Sequence, residues 1–152
     1  MTNKIEVWET GKGLFAKVDI EKDEIIGKSQ KNFLNAPTKY SLQIDENRHI
    51  QSIEGKFLAF KNHSCNPNTY YDFELLGLRT LRRIKKGEEL SMNYLASEWD
   101  MAEQFDCQCG ANNCFGKLKG FKYLTLEQKK EIEFILSPFL KIKWQEELRQ
   151  TQ

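Results

Sequence analysis

The sequence predicts a single, mainly β domain that ends in helices. Its 152 residues are about one domain's length, and 39% of them are apolar, which is enough for a packed core. Apolar and polar residues alternate through the first two thirds of the chain, whereas residues from Thr125 onward follow helical spacing. Together these observations favour small β-sheets followed by a C-terminal helical segment.

Short strands are predicted wherever the alternation persists, with Gly, Asn and Asp marking the turns between them. One hairpin is expected to turn at residues 45–47. A second is expected at Leu76 and Gly77, where the glycine would supply a positive φ, and a further turn is expected at residues 85–87. The predicted strands cover residues 5–8, 14–18, 24–28, 41–44, 49–53, 69–75, 78–82 and 89–92.

Two helices are predicted near the C-terminus. Thr125 and Gln128 form a capping box that begins the first, and Ser137 with Pro138 begins the second. Their apolar stripes are expected to pack against the sheets rather than to form an oligomer interface, and residues 149–152 are expected to form a free tail. The stripes comprise Ile132, Ile135, Leu136, Phe139 and Leu140 in the first helix, and Leu140, Trp144 and Leu148 in the second.

Charge and hydropathy exclude several classes of protein. Lys and Arg number 23 against 22 Asp and Glu, so a formal charge of +1 gives no field that would attract nucleic acid or an anionic membrane. No apolar run approaches the ~20 residues of a membrane span, and the N-terminus lacks a secretion signal. The expectation is a soluble intracellular protein of the cytoplasm or nucleus. Nucleic acid is not an expected partner, because the basic run of Arg79, Arg82, Arg83, Lys85 and Lys86 is interpreted as a solvated strand edge.

The stretch GKGLFA at residues 11–16 matches the glycine pattern of a dinucleotide-binding fold. That pattern requires a helix directly afterwards, and the following residues alternate as a strand does. We therefore interpret the stretch as a glycine-flanked turn whose backbone a ligand can approach closely.

Three of the four cysteines, Cys107, Cys109 and Cys114, lie in one eight-residue stretch that is polar and rich in turn-forming residues. Zinc in structural sites takes four tetrahedral ligands, and four thiolates are a common set. Cys65 is the remaining candidate for the fourth ligand. The alternatives are a disulfide pair, which a reducing compartment disfavours, or separate buried thiols.

Four motifs, GKGLFA, NHSCNPN, GEELSMNY and CQCGANNCFG, occur in this order. They resemble the SET-domain protein lysine methyltransferases with a post-SET zinc loop, over about residues 11–118. The resemblance implies a β-clip-like fold of small sheets with a knot-like core, S-adenosylmethionine as cofactor, and one structural zinc shared by the four cysteines. It also implies a SET domain over residues 1–104 and a post-SET loop over 105–119, and we expect residues 120–152 to form a helical extension packed on the same domain.

The same resemblance implies the roles of individual residues. Tyr94 would be the active-site tyrosine, whose hydroxyl aims the lysine amine at the methyl carbon. Leu118, just past the last cysteine, would form a wall beside the adenine. The implied cofactor-binding residues are Lys12, Gly13, Phe15, Asn62, His63, Tyr94 and Leu118.

Two positions depart from the family pattern. Ser29 stands near the place of a tyrosine that often lines the lysine channel, and Tyr40, Tyr70 and Tyr71 remain alternatives for that wall. Met92 stands where the family has the Phe or Tyr that governs the number of methyl groups added. Because methionine cannot anchor a water molecule as tyrosine does, transfer beyond one methyl group is predicted.

These features predict S-adenosylmethionine-dependent methyl transfer to the ε-amine of a lysine in a histone or another protein. Only the neutral amine has a lone pair, and a free lysine with a pKa of about 10.4 is almost fully protonated at pH 7, so burial beside a sulfonium must lower its pKa. A catalytically inactive zinc-stapled binding module and a nucleic-acid-binding zinc protein are the alternatives. The protein is expected to be a monomer or homodimer without a membrane partner.

Overall fold

The computed structural model describes residues 4–8, 13–28, 33–38, 41–51 and 62–151. Within these ranges, short strands precede two α-helices, which confirms the predicted fold class. No helix there combines the length and hydropathy of a membrane span. The strands are β1 (Ile5–Trp8), β2 (Gly13–Ala16), β3 (Ile25–Lys28), β4 (Phe33–Leu34), β5 (Leu42–Gln43), β6 (His49–Ile50), β7 (Asn62–His63), β8 (Thr69–Asp72), β9 (Gly77–Thr80), β10 (Ser91–Met92), β11 (Phe105–Asp106) and β12 (Lys117–Leu118).

The strands form five small sheets. Strands β3, β9 and β8 pair in that order, as do β4, β6 and β5, and all of these pairs are antiparallel. Antiparallel pairs also join β1 to β2 and β11 to β12, whereas β7 and β10 are parallel. Each predicted strand has a counterpart, although residues 52–53 lie outside the described ranges. The prediction missed β4, β7, β11 and β12, each of two residues, which is too short to show alternation.

The two predicted hairpins form, but the second uses its glycine differently. In the first, the Asp45 carboxylate accepts hydrogen bonds from the backbone N–H groups of Asn47 and Arg48, at 3.0 and 2.8 Å. In the second, the positive φ falls on Leu76, at 53°, and not on Gly77. A Cβ on Gly77 would lie 2.6 Å from the carbonyl oxygen of Gly27 on β3. Gly77 is therefore required for close strand approach rather than for the turn.

The helix starts are confirmed, and the helix ends differ from the prediction. Thr125 caps α1 (Leu126–Glu131) in a complete capping box, and Ser137 caps α2 (Pro138–Gln150) with Pro138 in the first turn. Between them lies a separate 3₁₀ helix, Glu133–Ile135, so the first predicted stripe spans three elements. The expectation of a free tail from residue 149 is wrong, because α2 continues through Gln150.

In the part of the chain that the structure describes, two hydrophobic clusters form the core. The first lies among the larger sheets, and the second joins the C-terminal helices to a 3₁₀ helix, Tyr94–Ala96, and to Leu118. Leu140 and Trp144 are buried in the second cluster, whereas Leu148 is 44% exposed. The predicted stripe therefore packs chiefly beside the tyrosine-bearing segment, and its last residue takes no part in the core.

Gly120 allows the chain after the cysteine loop to pass directly over residues 99 and 100. Its φ is 140°, and a Cβ there would lie 2.4 Å from the Trp99 carbonyl oxygen. We expect Gly120→Ala to lower the free energy of unfolding by about 3 kcal/mol or more, because both strain and a backbone clash result. Gly116→Ala is the matched control: φ is 77° but nothing lies within 4 Å of the added Cβ, so about 1 kcal/mol is expected. Urea denaturation measures both, and equal small losses would contradict this account.

Candidate active site

Three of the motif stretches, GKGLFA, NHSCNPN and GEELSMNY, lie side by side. Residues 87–92 of the third stretch contact the other two. On one side they run beside β2, where Leu90 N–H donates to the Leu14 carbonyl at 2.7 Å and Ala16 N–H donates to the Glu88 carbonyl at 3.0 Å. On the other side β10 pairs with β7, with Ser91 opposite Asn62. The GLFA, NHS and GEELSM stretches are thus neighbours in space.

The side chains of Asn68 and Thr69 fix the backbone of residues 89–91 through hydrogen bonds. The Asn68 amide donates to the Glu89 carbonyl and accepts from Ser91 N–H, both at 2.8 Å. The Thr69 hydroxyl donates to the Ser91 carbonyl at 2.7 Å. Both side chains are buried, so they act as fixed partners for the backbone of residues 89–91. Neither residue has a role predicted from the sequence; the third Asn of NHSCNPN was the available signal.

Asn68→Ala is expected to destabilise the protein by about 2–4 kcal/mol, because it leaves two backbone groups without their buried partner. Asn66→Ala in the same loop is the control, since Asn66 is exposed and its loss is expected to cost under about 0.5 kcal/mol. Denaturant unfolding of the two variants compares them. Equal stability would show that Asn68 does not hold the segment.

A cleft of about 780 Å³ opens beside these segments. The residues that line it include Asn62, His63, Tyr94, Phe105, Cys107 and Cys109. The Tyr94 ring meets His63 and Phe105 edge-on, with centroids 5.2 and 6.1 Å apart. The volume falls in the range typical of sites for small molecules and cofactors. Phe105, absent from the predicted site, lines the cleft in edge-on contact with Tyr94.

His63 connects the tyrosine segment to the cysteines. Its Nδ1 accepts a hydrogen bond from Tyr94 N–H at 3.1 Å, and its Nε2 lies 3.2 Å from Cys65 Sγ. Burial lowers the pKa of His63 to about 4, so the ring is neutral at pH 7. Because Nδ1 accepts a hydrogen bond, Nε2 carries the proton, and its N–H donates a hydrogen bond to the Cys65 sulfur. The Nε2–H tautomer of His63 therefore makes both hydrogen bonds, one with Tyr94 N–H and one with the Cys65 sulfur.

Gly13 forms a small cradle with Phe15 and Glu89, of which only Glu89 lines the cleft; the predicted cofactor residues Gly13 and Phe15 do not line it. A Cβ on Gly13 would lie 2.7 Å from the Phe15 ring and 2.8 Å from Glu89 Oε2, so a larger residue would displace these side chains. Asn62 Nδ2 donates to the same Glu89 oxygen at 2.6 Å. The polar groups of Asn62 and Glu89 and the aromatic rings of Tyr94 and Phe105, all at the cleft, match the mixed polar and apolar character of S-adenosylmethionine. The residues present therefore fit the implied cofactor.

Not every predicted cofactor residue lies at the cleft. Lys12 lies outside the described residues. Leu118 is fully buried in the second hydrophobic cluster and does not line the cleft, although its β-partner Phe105 does. Of the three tyrosines that are alternatives for the channel wall, Tyr70 and Tyr71 line a narrow pocket. Tyr40 lies outside the described residues, and so does Ser29. Met92, Phe73 and Ile135 complete much of the apolar wall of the narrow pocket.

The four cysteines converge as the sequence predicts. Their sulfur atoms all lie within 4.8 Å of one another, and none is in a disulfide. Phe115 N–H donates to Cys65 Sγ at 3.2 Å, and the Asn113 amide donates to the Cys65 carbonyl at 2.9 Å. These bonds fix the 107–114 loop to the NHSC loop. Four thiols at this spacing fit the donor set of a structural zinc ion.

The thiols differ in acidity. Burial raises the pKa of Cys65, and burial raises the pKa of Cys107 to about 11. Burial works in the same direction on Cys109, but backbone N–H groups of Cys65 and Ala111 stabilise its thiolate and lower its pKa to about 6. Cys109 therefore ionises more readily than Cys65 and Cys107, and a metal-binding cluster needs thiolates.

Two of the five residues of the basic run that begins in β9, Arg79 and Arg83, form ion pairs among the described residues. Arg79 pairs with Asp72 at 3.2 Å, and Arg83 pairs with Asp19 and Glu21 at 3.2 and 3.0 Å. Arg82 donates to the Pro67 carbonyl. This pairing supports the interpretation as a solvated edge.

Comparison with known proteins identifies the family. The SET domain model matches residues 11–95. "Methyltransferase flvH" of Aspergillus flavus is 38% identical over 65 residues, covering 41% of this chain and 36% of the relative. "Histone-lysine N-methyltransferase, H3 lysine-36 specific" of Gibberella zeae is 30% identical over 138 residues, covering 76% of this chain and 15% of the relative.

A solved structure shows the same fold. It is the crystal structure of KRYPTONITE in complex with mCHG DNA and SAH, which aligns with a TM-score of 0.56 at 23% identity, over 69% of this chain and 26% of that one. The chain thus spans between 15% and 36% of the length of these three proteins. The family match covers more than half of the chain, including the cradle, Asn62 and Tyr94. This chain belongs to the SET-domain family.

Proposed function

We propose that this chain is an S-adenosylmethionine-dependent methyltransferase acting on lysine ε-amines of proteins. The observation that carries the proposal is the convergence of Asn62, His63 and Tyr94 on one cleft beside four clustered cysteines, with Gly13 next to Glu89 at its edge. Methyltransferases named among the relatives support the reaction. The histone named for the second relative supports a histone as substrate, and with it a nuclear location, and both are parts of the proposal.

Each residue has a distinct task in this mechanism. When bound, the cofactor supplies a methyl group on a sulfonium, whose C–S electron pair stays on sulfur as the lysine nitrogen forms the new N–C bond. Gly13 and Asn62 orient it, and the Tyr94 hydroxyl accepts a hydrogen bond from the neutral amine and aligns its lone pair. The apolar pocket of Tyr70, Tyr71 and Met92 would disfavour the ammonium form, so the amine gives its proton to solvent before transfer.

Zinc on the four cysteines would be structural. A set of four thiolates leaves no position for a reacting group, and the loop carrying them lines the cleft. We also propose the domain boundaries at residues 104 and 119, with the helical extension packed on the same domain. The cluster shared by Leu95, Phe121 and Trp144 supports that packing.

Incubation with labelled S-adenosylmethionine and a panel of basic proteins, including histones, tests the reaction. Label on lysine side chains, located by mass spectrometry, is the expected result. Cofactor binding without labelling of any protein would favour the catalytically inactive binding module instead.

The side chain of Met92 predicts how many methyl groups are transferred to one lysine. It is buried against Tyr71 in the narrow pocket and offers no hydroxyl to hold a water molecule there. The time course of the labelled product should therefore show dimethyl or trimethyl lysine after monomethyl lysine. Accumulation of monomethyl lysine alone, with enzyme and cofactor in excess, would contradict this prediction.

A further inference from the structure

Both ring nitrogens of His63 are engaged within the protein. Nδ1 accepts a hydrogen bond from Tyr94 N–H at 3.1 Å, and Nε2 lies 3.2 Å from Cys65 Sγ. A backbone N–H can only donate, so Nδ1 presents its lone pair and the proton of the neutral ring is on Nε2. In this tautomer the imidazole has no ring nitrogen left for a ligand in the cleft.

The hydrogen bond at Nδ1 serves a backbone group that helix geometry leaves without a partner. Tyr94 is the first residue of the 3₁₀ helix Tyr94–Ala96, and the first N–H groups of a helix have no carbonyl partner within it. The Asn93 side chain caps Leu95 N–H, at 2.9 Å, and not Tyr94 N–H. The imidazole therefore completes the cap and fixes the backbone that carries the phenol.

The hydrogen bond at Nε2 serves the buried sulfur of the cysteine cluster. Cys65 is 3% exposed, and its Sγ also accepts from Phe115 N–H at 3.2 Å. Four thiolates around one divalent cation carry excess negative charge, which N–H donors beside a sulfur stabilise. Loss of such an outer hydrogen bond typically weakens metal binding about 10- to 100-fold.

We propose that the His63 side chain is a positioning residue that couples the metal-binding cysteines to the Tyr94 segment and makes no hydrogen bond to the cofactor. Cys65 Sγ, held in the loaded cluster, fixes the imidazole through Nε2–H, and the imidazole in turn fixes Tyr94 N–H. The ring itself packs edge-on against Tyr94 and Phe105, with centroids 5.2 and 6.3 Å apart. This coupling goes beyond the proposed function, and only its effect on methyl transfer rests on that function.

Two substitutions separate the two ring nitrogens. The amide atoms of asparagine lie as many bonds from Cα as Nδ1 does, and those of glutamine lie as many bonds from Cα as Nε2 does. His63→Asn therefore keeps an acceptor for Tyr94 N–H and loses the donor to Cys65. His63→Gln keeps the donor and loses the acceptor, so each variant is the matched control for the other.

Two measurements on the full chain report the two contacts: zinc affinity, by competition with a chelator, and hydrogen exchange of the Tyr94 amide, by NMR of the zinc-saturated protein. We expect His63→Asn to bind zinc about tenfold more weakly, with Tyr94 exchange within about threefold of wild type. We expect His63→Gln to exchange the Tyr94 amide about tenfold faster or more, with zinc affinity within about threefold of wild type. Calorimetric titration with S-adenosylhomocysteine should give both zinc-saturated variants an affinity within about threefold of wild type, because neither replaced nitrogen contacts the cofactor.

The outcomes separate this inference from the proposed function. Loss of both zinc affinity and Tyr94 protection in both variants would show a merely structural role and overturn the coupling, as would wild-type values in both. Loss of S-adenosylhomocysteine affinity by about tenfold in either zinc-saturated variant would make the imidazole a cofactor ligand and also overturn it. Failure of the wild-type chain to bind S-adenosylhomocysteine overturns the proposed function, whereas the zinc and exchange measurements still decide the role of His63.

Discussion

Tyr94→Phe is expected to slow methyl transfer about 100-fold or more while S-adenosylmethionine binding stays within about threefold. The substitution removes only the hydroxyl, so the ring contacts with His63 and Phe105 persist. The backbone N–H that donates to His63 also remains. A 100-fold loss corresponds to about 2.7 kcal/mol of transition-state stabilisation, a size consistent with misalignment of the attacking amine. Single-turnover rates and calorimetric cofactor titration measure the two effects separately.

Tyr123→Phe is the matched control for this substitution. Tyr123 is 50% exposed and does not line the cleft, so its variant should retain both turnover and cofactor affinity. If Tyr94→Phe also retained turnover, the phenol would have no part in the chemistry, and the binding-module alternative would become the better reading.

Cys65→Ser is expected to abolish zinc binding and to weaken cofactor binding about tenfold or more. Cys65 is the buried member of the cluster and contacts His63 as well as Phe115 N–H. Its loss removes one of four ligands and releases the loop that carries Phe105 and Cys107 along the cleft. Structural zinc contributes on the order of 10 kcal/mol to folding in small zinc domains, so the unfolding temperature should also fall. Metal analysis of the purified protein gives the zinc content directly.

Cys109→Ser provides the comparison, because a shared ion requires both thiolates equally. Chelation of the wild-type protein should reproduce the loss of cofactor affinity without any substitution, and zinc should restore it. Retention of one equivalent of zinc by Cys65→Ser would show that the fourth ligand lies elsewhere.

Local signals in the sequence predicted those parts of the fold that depend on neighbouring residues. The Thr125 capping box and the Ser137–Pro138 start are such signals, and both helices begin where expected. The end of α1 was missed because the apolar spacing continues through the 3₁₀ turn at 133–135. Strand β7 was missed because it has two residues and exists only through its pairing with β10, about thirty positions away.

The candidate site likewise has residues that local sequence signals predicted and residues that depend on tertiary contacts. The cysteines were predictable because three thiols within eight residues are unusual and zinc chemistry supplies a reason. Asn68 was not predicted, because an asparagine in a turn is common in any chain. Its role arises from its tertiary neighbours, the backbone groups of Glu89 and Ser91.

The position of residues 87–92 between β2 and β7 has a kinetic consequence. The two partners precede this segment by roughly 75 and 30 residues, so both pairings close long loops and contribute high contact order. The cradle is assembled only when both loops have closed, late in folding. Ligand capture during refolding should therefore lag behind the appearance of the C-terminal helices, whose contacts are local.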